Sequence, residues 1–190
     1  VIPTALTWAA KLTTWFGNKH PNVRFTILSR NSMEILSMLE NLDIDAGISY
    51  LDNEPTGRVS TEPLYNESYM LVCNEASSFA GRKSVKWKEL AEERICLLTP
   101  DMQNRRIINK HLEEVGATAH PTLESNSMIV LFSHIRTGKW ASIMPLNLAE
   151  VLGFAEPIRA IPIVEPDASH LVGLVAVKRE PHTPLVSALL

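Results

Sequence analysis

With 190 residues, 45% hydrophobic and 21% charged, the chain has the make-up of an ordinary globular protein, large enough for one domain or two small lobes with a real core, and disorder is excluded. Eighteen basic against 21 acidic residues give a net charge of -3, and no Lys/Arg run exceeds a dipeptide. This segment therefore lacks the electrostatic footprint of a nucleic-acid binder, and any contact with DNA must be made by another segment.

Val1-Ile2 reads as the tail of a first strand, closed by Pro3-Thr4, and Ala5 to Gly17 reads as a helix stopped at Asn18-Lys19-His20-Pro21. Leu6, Trp8, Ala9, Leu12, Trp15 and Phe16 cover more of that helix than one stripe requires, so it is either buried between sheet and loops or shared with a second subunit. In the second case Trp8, Leu12 and Trp15 are the dimer-interface residues, with the tryptophans as anchors.

Val23 to Leu28 alternates around Val23, Phe25 and Ile27 and is expected to be a strand. A helix capped by Asn31 or Ser32 follows, with Glu34 in its first turn and Ile35, Leu36, Leu39 and Leu42 as its buried stripe. Asp45 to Ser49 is a short apolar strand, which completes a βαβ unit whose two strands should lie parallel in one sheet. Ligands of such sheets sit at the carboxyl ends of strands. That rim carries Ser29, Arg30, Asn31, Ser32, Ser49 and Tyr50, polar groups with no obvious nucleophile.

Leu51 to Arg58, with Asn53, Pro55 and Gly57, is a loop. Two strands, Val59 to Tyr65 and Ser68 to Cys73, are separated by a break at Asn66-Glu67. The βα rhythm then restarts with a helix around Trp87 to Ala91, a strand at Ile95 to Leu98, and a helix from Met102 to Val115 that ends on Gly116. His120 to Leu123 is a strand, and Ser125-Asn126-Ser127 caps a helix with Met128, Leu131, Phe132 and Ile135 as its apolar stripe. Strands at Ala141 to Met144, Ile158 to Val164 and Leu171 to Val177, a short helix at Leu146 to Leu152 and a terminal helix complete the chain. The alternation builds two parallel-sheet lobes, with the last strand returning to the first lobe and a ligand cleft between them.

Chemistry-bearing motifs are scarce. Cys73 and Cys96 each sit in an apolar run and read as buried thiols, a redox or bridged pair being the other reading. There is no GxSxG elbow, Gly138-Lys139-Trp140 lacks the rest of a P-loop, and the six histidines have no HExxH or Cys-x-x-Cys companions. No catalytic residue, metal site or cofactor is expected, and the protein reads as a non-enzyme. Arg105, Arg106 and Lys110 read as a solvated helix face, or as added positive potential near the second lobe. The longest apolar run, Leu171 to Val177, is too short to span a bilayer and no leader precedes Val1, which leads to a cytoplasmic expectation. The abrupt opening on a strand end also suggests an upstream portion that is absent here.

VIPTAL leading into a helix, NSMEILSMLENLDIDAGIS, PLYNESYMLVC, FAGRKSVKWKELAEERICLL and HIRTGKWASIMP, in this order and spacing, together resemble the effector-binding domain of LysR-type transcriptional regulators. The resemblance covers nearly the whole chain. It implies an α/β fold of two Rossmann-like subdomains with a ligand cleft between them, of the periplasmic-binding-protein type II-like kind, residues 1-66 plus 163-190 forming subdomain I and residues 67-162 subdomain II. It also implies a small-molecule effector in the cleft, a homodimer or homotetramer built on the first helix and second strand, and DNA binding only through an absent N-terminal winged helix-turn-helix. Carried onto this chain, the effector contacts fall at Pro3, Thr4, Asn31, Ser32, Ser49, Tyr50, Thr99, Ser125, Asn126 and Gly138. For Asn31, Ser32, Ser125 and Asn126, simple helix capping is the competing role. The chain departs from the usual pattern at Lys139-Trp140, where Trp140 either fills part of the cleft, stacks on an effector or packs in the core. Hydroxyls, helix N-termini and Arg30 favour a small polar anion as effector. A solute-binding protein of a transporter is the alternative, sharing the fold but monomeric and exported.

Overall fold

The computed structural model describes residues 1–52, 58–152, 157–179 and 181–190, without the side chains of residues 149 and 150. The expected loop positions Asn53, Pro55 and Gly57 lie outside the described residues. In chain order the elements are α1 (Leu6–Lys19), α2 (Ser32–Glu40), β1 (Gly47–Tyr50), β2 (Val59–Asn74), β3 (Val85–Lys86), β4 (Cys96–Leu98), α3 (Gln103–Glu114), β5 (Leu123–Ser125), α4 (Met128–Arg136), β6 (Ser142–Pro145), α5 (Leu146–Leu152), β7 (Ile158–Val164), β8 (Ser169–Val177) and α6 (Pro184–Leu189). Single 3-10 turns lie at Pro3–Ala5 and Trp87–Glu92. The chain divides into two compact units, Val1–Asn66 with His170–Leu190, and Glu67–Ser169.

In the first unit β1 pairs antiparallel with β8, Ile48 opposite Leu174, and the opening residues of β2 lie on the other side of β8. Gly173 is where that sheet allows no side chain: a Cβ there would collide with Glu62 backbone and Leu51. Helix α2 starts on a full capping box, in which Asn31 Oδ1 accepts the Glu34 amide (2.9 Å) and Glu34 accepts the Asn31 amide (2.9 Å). Ile35 and Leu39 are completely buried beneath it, with Leu36 half-buried. Leu42 departs from the expected stripe. It lies past the helix end with a positive φ of 62° and is 66% exposed, because α2 stops at Glu40 and the following turn points it outward.

Val23 to Leu28 is a second departure. These residues form no strand, and Phe25 and Ile27 are largely exposed. A strand exists only through its ladder partners, and this segment has one rung at its carboxyl end: the Val1 amino group donates to Leu28 O (2.8 Å) and the Arg30 amide donates to Val1 O (3.1 Å). The parallel partnership of the expected βαβ unit is therefore confined to the rungs through Val1 and Ile2, whose amide donates to Ile48 O (3.0 Å). The expected break at Asn66-Glu67 is also absent. β2 runs unbroken for 16 residues, since residues 69–74 gain new partners, β6 on one edge and β7 on the other.

In the second unit β6, β2, β7 and β3 are hydrogen-bonded neighbours in that order, and β4 and β5 form a two-stranded sheet that an isolated bridge sets beside β6. β4 and β5 are parallel, Ile95 bridges Ala141 in the parallel sense beside β6, and β3 is parallel to β7. The strand expected at His120 to Leu123 is shifted to Leu123–Ser125, because register with β4 sets Leu98 opposite Ser125. Val72, Cys96, Leu98, Met128, Leu131 and Ile135 form part of the core between this sheet and α4. Cys73 and Cys96 are both free and buried, as expected, and burial raises both thiol pKa values, that of Cys96 to about 11. Trp87 is fully buried, edge-on to Tyr69 and tilted against His111, with its indole N–H on Pro166 O (3.0 Å).

Arg105 contradicts the solvated-face reading. Only 6% of it is exposed, and its guanidinium binds Leu98 O (2.8 Å), Glu124 (2.5 Å) and Asn109 (2.9 Å). Those partners replace the water that an arginine loses on burial.

The two leucines of the α2 region should separate cleanly in denaturant titrations. Leu39→Ala is expected to cost about 2–5 kcal/mol and Leu42→Ala less than about 0.5 kcal/mol. Asn31→Ala should cost about 1 kcal/mol through loss of the capping box.

Candidate functional site

In the first unit three turns meet at the carboxyl ends of adjacent extended segments: Val1 to Thr4, Arg30 to Ser32, and Ser49-Tyr50. The rungs Arg30 to Val1 and Ile2 to Ile48 hold them in register. Pro3 opens a 3-10 turn, and Thr4, just behind it, is buried with its hydroxyl 3.3 Å from the Tyr50 hydroxyl. Ser49 and Tyr50 are also buried. Asn31 is spent on capping. Ser32, one residue further, is not the cap, and its Oγ is buried without a hydrogen-bond partner among the described residues. Such an atom forfeits a water without replacement, a cost that a ligand's polar atom can recover. Arg30 Nη1 folds onto Ser29 O (2.9 Å).

In the second unit Thr99 follows β4 and Ser125 ends β5, so parallel pairing brings them side by side; the Thr99 amide donates to Ser125 O (3.2 Å). Ser125 Oγ accepts the Ser127 amide (3.1 Å), which organises the turn into α4, where Ser127 is the cap residue without a side-chain cap bond. Asn126 is exposed at that turn. Thr99 Oγ1, like Ser32 Oγ, is buried with no partner among the described residues. Gly138 is not brought to this group. It precedes β6, with φ +78° and Asn74 beside it, whereas Thr99 and Ser125 sit where the parallel strands end.

The buried polar start of α3, Gln103 to Arg105, was missed by pattern reading. Arg105 ties Leu98 O, one residue before Thr99, to Glu124, one residue before Ser125. Its only trace in the sequence is an unusually polar first turn, QNRR, separated from the preceding apolar strand by Thr99 to Met102. Trp140 is half-buried, its indole N–H on Thr122 Oγ1 (3.0 Å), its ring edge-on to His134 and its face under Arg94 at 5.0 Å.

The residues expected at a subunit interface differ among themselves. Trp8 stacks on Tyr65 at 4.8 Å, Leu12 is half-buried, and Trp15 is 47% exposed with Lys19 over its ring at 4.1 Å. Among the described residues no group of three or more His, Cys, Asp or Glu could hold a metal ion, and no helix is long and apolar enough to cross a membrane.

Comparison with known proteins places this geometry. The family model described as the LysR substrate binding domain matches residues 1–190. The HTH-type transcriptional regulator YfeR of Shigella flexneri is 27% identical over 150 residues, which are 77% of this chain and 48% of that protein. The chain spans about half the length of the curated relatives it matches. Among solved structures, the effector-binding domain of QuiR in complex with shikimate superposes with a TM-score of 0.83 at 20% identity, over 99% of this chain and 90% of that one. The regulatory domain of Synechocystis PCC6803 CcmR in complex with 2-PG gives 0.86 at 15% identity, over 98% and 89%. At these identities the likeness is one of fold, the mixed α/β, periplasmic-binding-protein type II-like fold. The chain belongs to the LysR substrate-binding family, and is the effector-binding domain of a LysR-type transcriptional regulator.

Proposed function

We propose that this domain senses a small polar, anionic effector, held in a cleft between subdomain I (1-66 plus 163-190) and subdomain II (67-162), and that occupancy switches a DNA-bound oligomer in the cytoplasm. The observation that carries the reading is the pair of buried hydroxyls without partners among the described residues, Ser32 Oγ and Thr99 Oγ1, each beside a turn expected from the sequence to touch ligand. Unsatisfied buried hydroxyls are rare in folded proteins, and a ligand oxygen is the natural partner. The free first-turn amides of α2 and α4 add partial positive charge, which favours an anion. Pro3, Thr4, Ser49 and Tyr50 shape the first wall and Ser125 and Asn126 the second. The ligand named with QuiR, shikimate, is a carboxylate of the size such turns could hold. Homodimer or homotetramer assembly through α1, with Trp15 as the exposed anchor, would transmit the change to the DNA-binding segment of the intact protein.

Calorimetric titration against shikimate, other small carboxylates, phosphate and sulfate tests the reading. Saturable binding of one anion is expected. Ser32→Ala and Thr99→Val should each weaken it about tenfold, equivalent to one lost hydrogen bond of about 1.4 kcal/mol, while leaving the unliganded protein as stable or slightly more so. Binding only by cations or wholly apolar compounds, or unchanged affinity in both variants, overturns it.

Sedimentation analysis addresses assembly: Trp15→Glu should shift a dimer to monomer with the thermal midpoint unchanged, and a wild-type chain monomeric at high concentration removes the α1 interface.

A further inference from the structure

The end of the β4 and β5 ladder has little backbone to hold it. Each strand contributes three residues, Cys96–Leu98 and Leu123–Ser125, and the last rung sets Leu98 opposite Ser125. A two-stranded ladder this short is marginal by itself, and ends of elements open first. Thr99 and Ser125 stand at that end. Both backbone groups of Thr99 are in use, its amide on Ser125 O (3.2 Å) and its carbonyl accepting the Met102 amide (3.0 Å), so a shift of either strand carries the Thr99 hydroxyl with it.

Arg105, in the first turn of α3, spans this end. Its Nη1 donates to Leu98 O (2.8 Å), on the last rung of one strand, and to Glu124 (2.5 Å), one residue before the last rung of the other. Its Nε donates to Asn109 Oδ1 (2.9 Å), four residues further along the same helix, which fixes the plane of the guanidinium. A planar group anchored at one corner and bonded to both strands sets their spacing, as the point charge of a lysine would not.

The same arrangement is a poor source of stability. The Arg105 side chain is 7% exposed while that of Glu124 is 38% exposed, so the cation gives up nearly all its water for a partner that keeps much of its own. Uncharged side chains of similar volume serve a fold as well as such a pair, or better. What they do not supply is direction.

We infer that Arg105 is a positioning residue of the effector site: through Leu98 O and Glu124 it holds the Thr99 hydroxyl and the Ser125 turn at the spacing an effector oxygen requires, and so sets effector affinity without touching the effector. The inference rests on the proposed role of Thr99 and Ser125 as effector contacts.

Replacing the pair together, Arg105→Met with Glu124→Gln, removes both charges and leaves no buried ion alone. The thermal midpoint of this double variant should stay within a few degrees of wild type. In calorimetric titration with shikimate, other small carboxylates, phosphate and sulfate, it should bind the anion that wild type selects at least about tenfold more weakly. Thr99→Val, expected to weaken binding about tenfold in wild type, should cost less than about threefold in the double variant, because the hydroxyl is already out of place. Hydrogen exchange reads the same change without a ligand. The Thr99 amide should exchange at least about tenfold faster in the double variant, while Leu112 in α3 and Ile135 in α4 keep their rates.

Unchanged affinity in a double variant as stable as wild type overturns the inference, and so does an unchanged Thr99 exchange rate. A full tenfold loss from Thr99→Val in the double variant does the same, since Arg105 then acts by another route. Should wild type bind none of these anions, the effector reading falls, and Thr99 exchange decides alone whether Arg105 holds the strand ends. Should the double variant fail to fold, Arg105→Lys, which keeps the charge and loses the planar fork, takes its place with the same expected losses.

Discussion

Two adjacent residues, Val1 and Ile2, hold the first unit's polar turns together through backbone bonds to Leu28, Arg30 and Ile48. Without those rungs the Arg30 to Ser32 turn, the Pro3-Thr4 turn and the Ser49-Tyr50 end of β1 would have no common register. Backbone bonds suit this task because each donor and acceptor is fixed in direction, so three short segments are aligned without any side chain being consumed. The Ser32 hydroxyl is left without a partner among the described residues, while the Thr4 and Tyr50 hydroxyls face each other at 3.3 Å.

The second unit solves the same problem differently. Thr99 and Ser125 are aligned by parallel pairing of β4 with β5, and Arg105 crosses beneath them from Leu98 O to Glu124. A buried guanidinium with several directional donors is suited to tying two strand ends, and breaking one partner would leave a charge without water. The helix that carries it also presents its first turn near Thr99, so rigid support and a field favourable to anions come from one element.

Among the described residues the buried side-chain atoms without partners are Ser32 Oγ, Thr99 Oγ1, Trp8 Nε1 and His182 Nδ1, and of these the two hydroxyls are the ones at the polar turns. Ser32 and Thr99 can give and accept hydrogen bonds but cannot drive proton transfer near neutral pH, and the two thiols are buried, Cys96 with a pKa raised to about 11. Such hydroxyls suit hydrogen bonding to a polar ligand.

Residue pattern alone determined much of this molecule: the start of α2 at Asn31 or Ser32 with Glu34 in its first turn, the buried Ile35 and Leu39, the helix end at Gly116, and the polar turns after short apolar strands. These are local matters, set by periodicity and by the chemistry of a few neighbouring residues. Tertiary structure alone decided the rest. Val23 to Leu28 has the alternation of a strand, yet pairing depends on a neighbour that composition cannot supply. Asn66-Glu67 looks like a break, yet partners on both edges carry β2 straight through it. Arg105 looks solvated, yet Leu98 O and Glu124, distant in sequence, draw it inside. Sequence pattern specifies which conformations a segment can adopt; the energy that selects among them comes from hydrogen bonds and burial between segments that only the folded chain brings together.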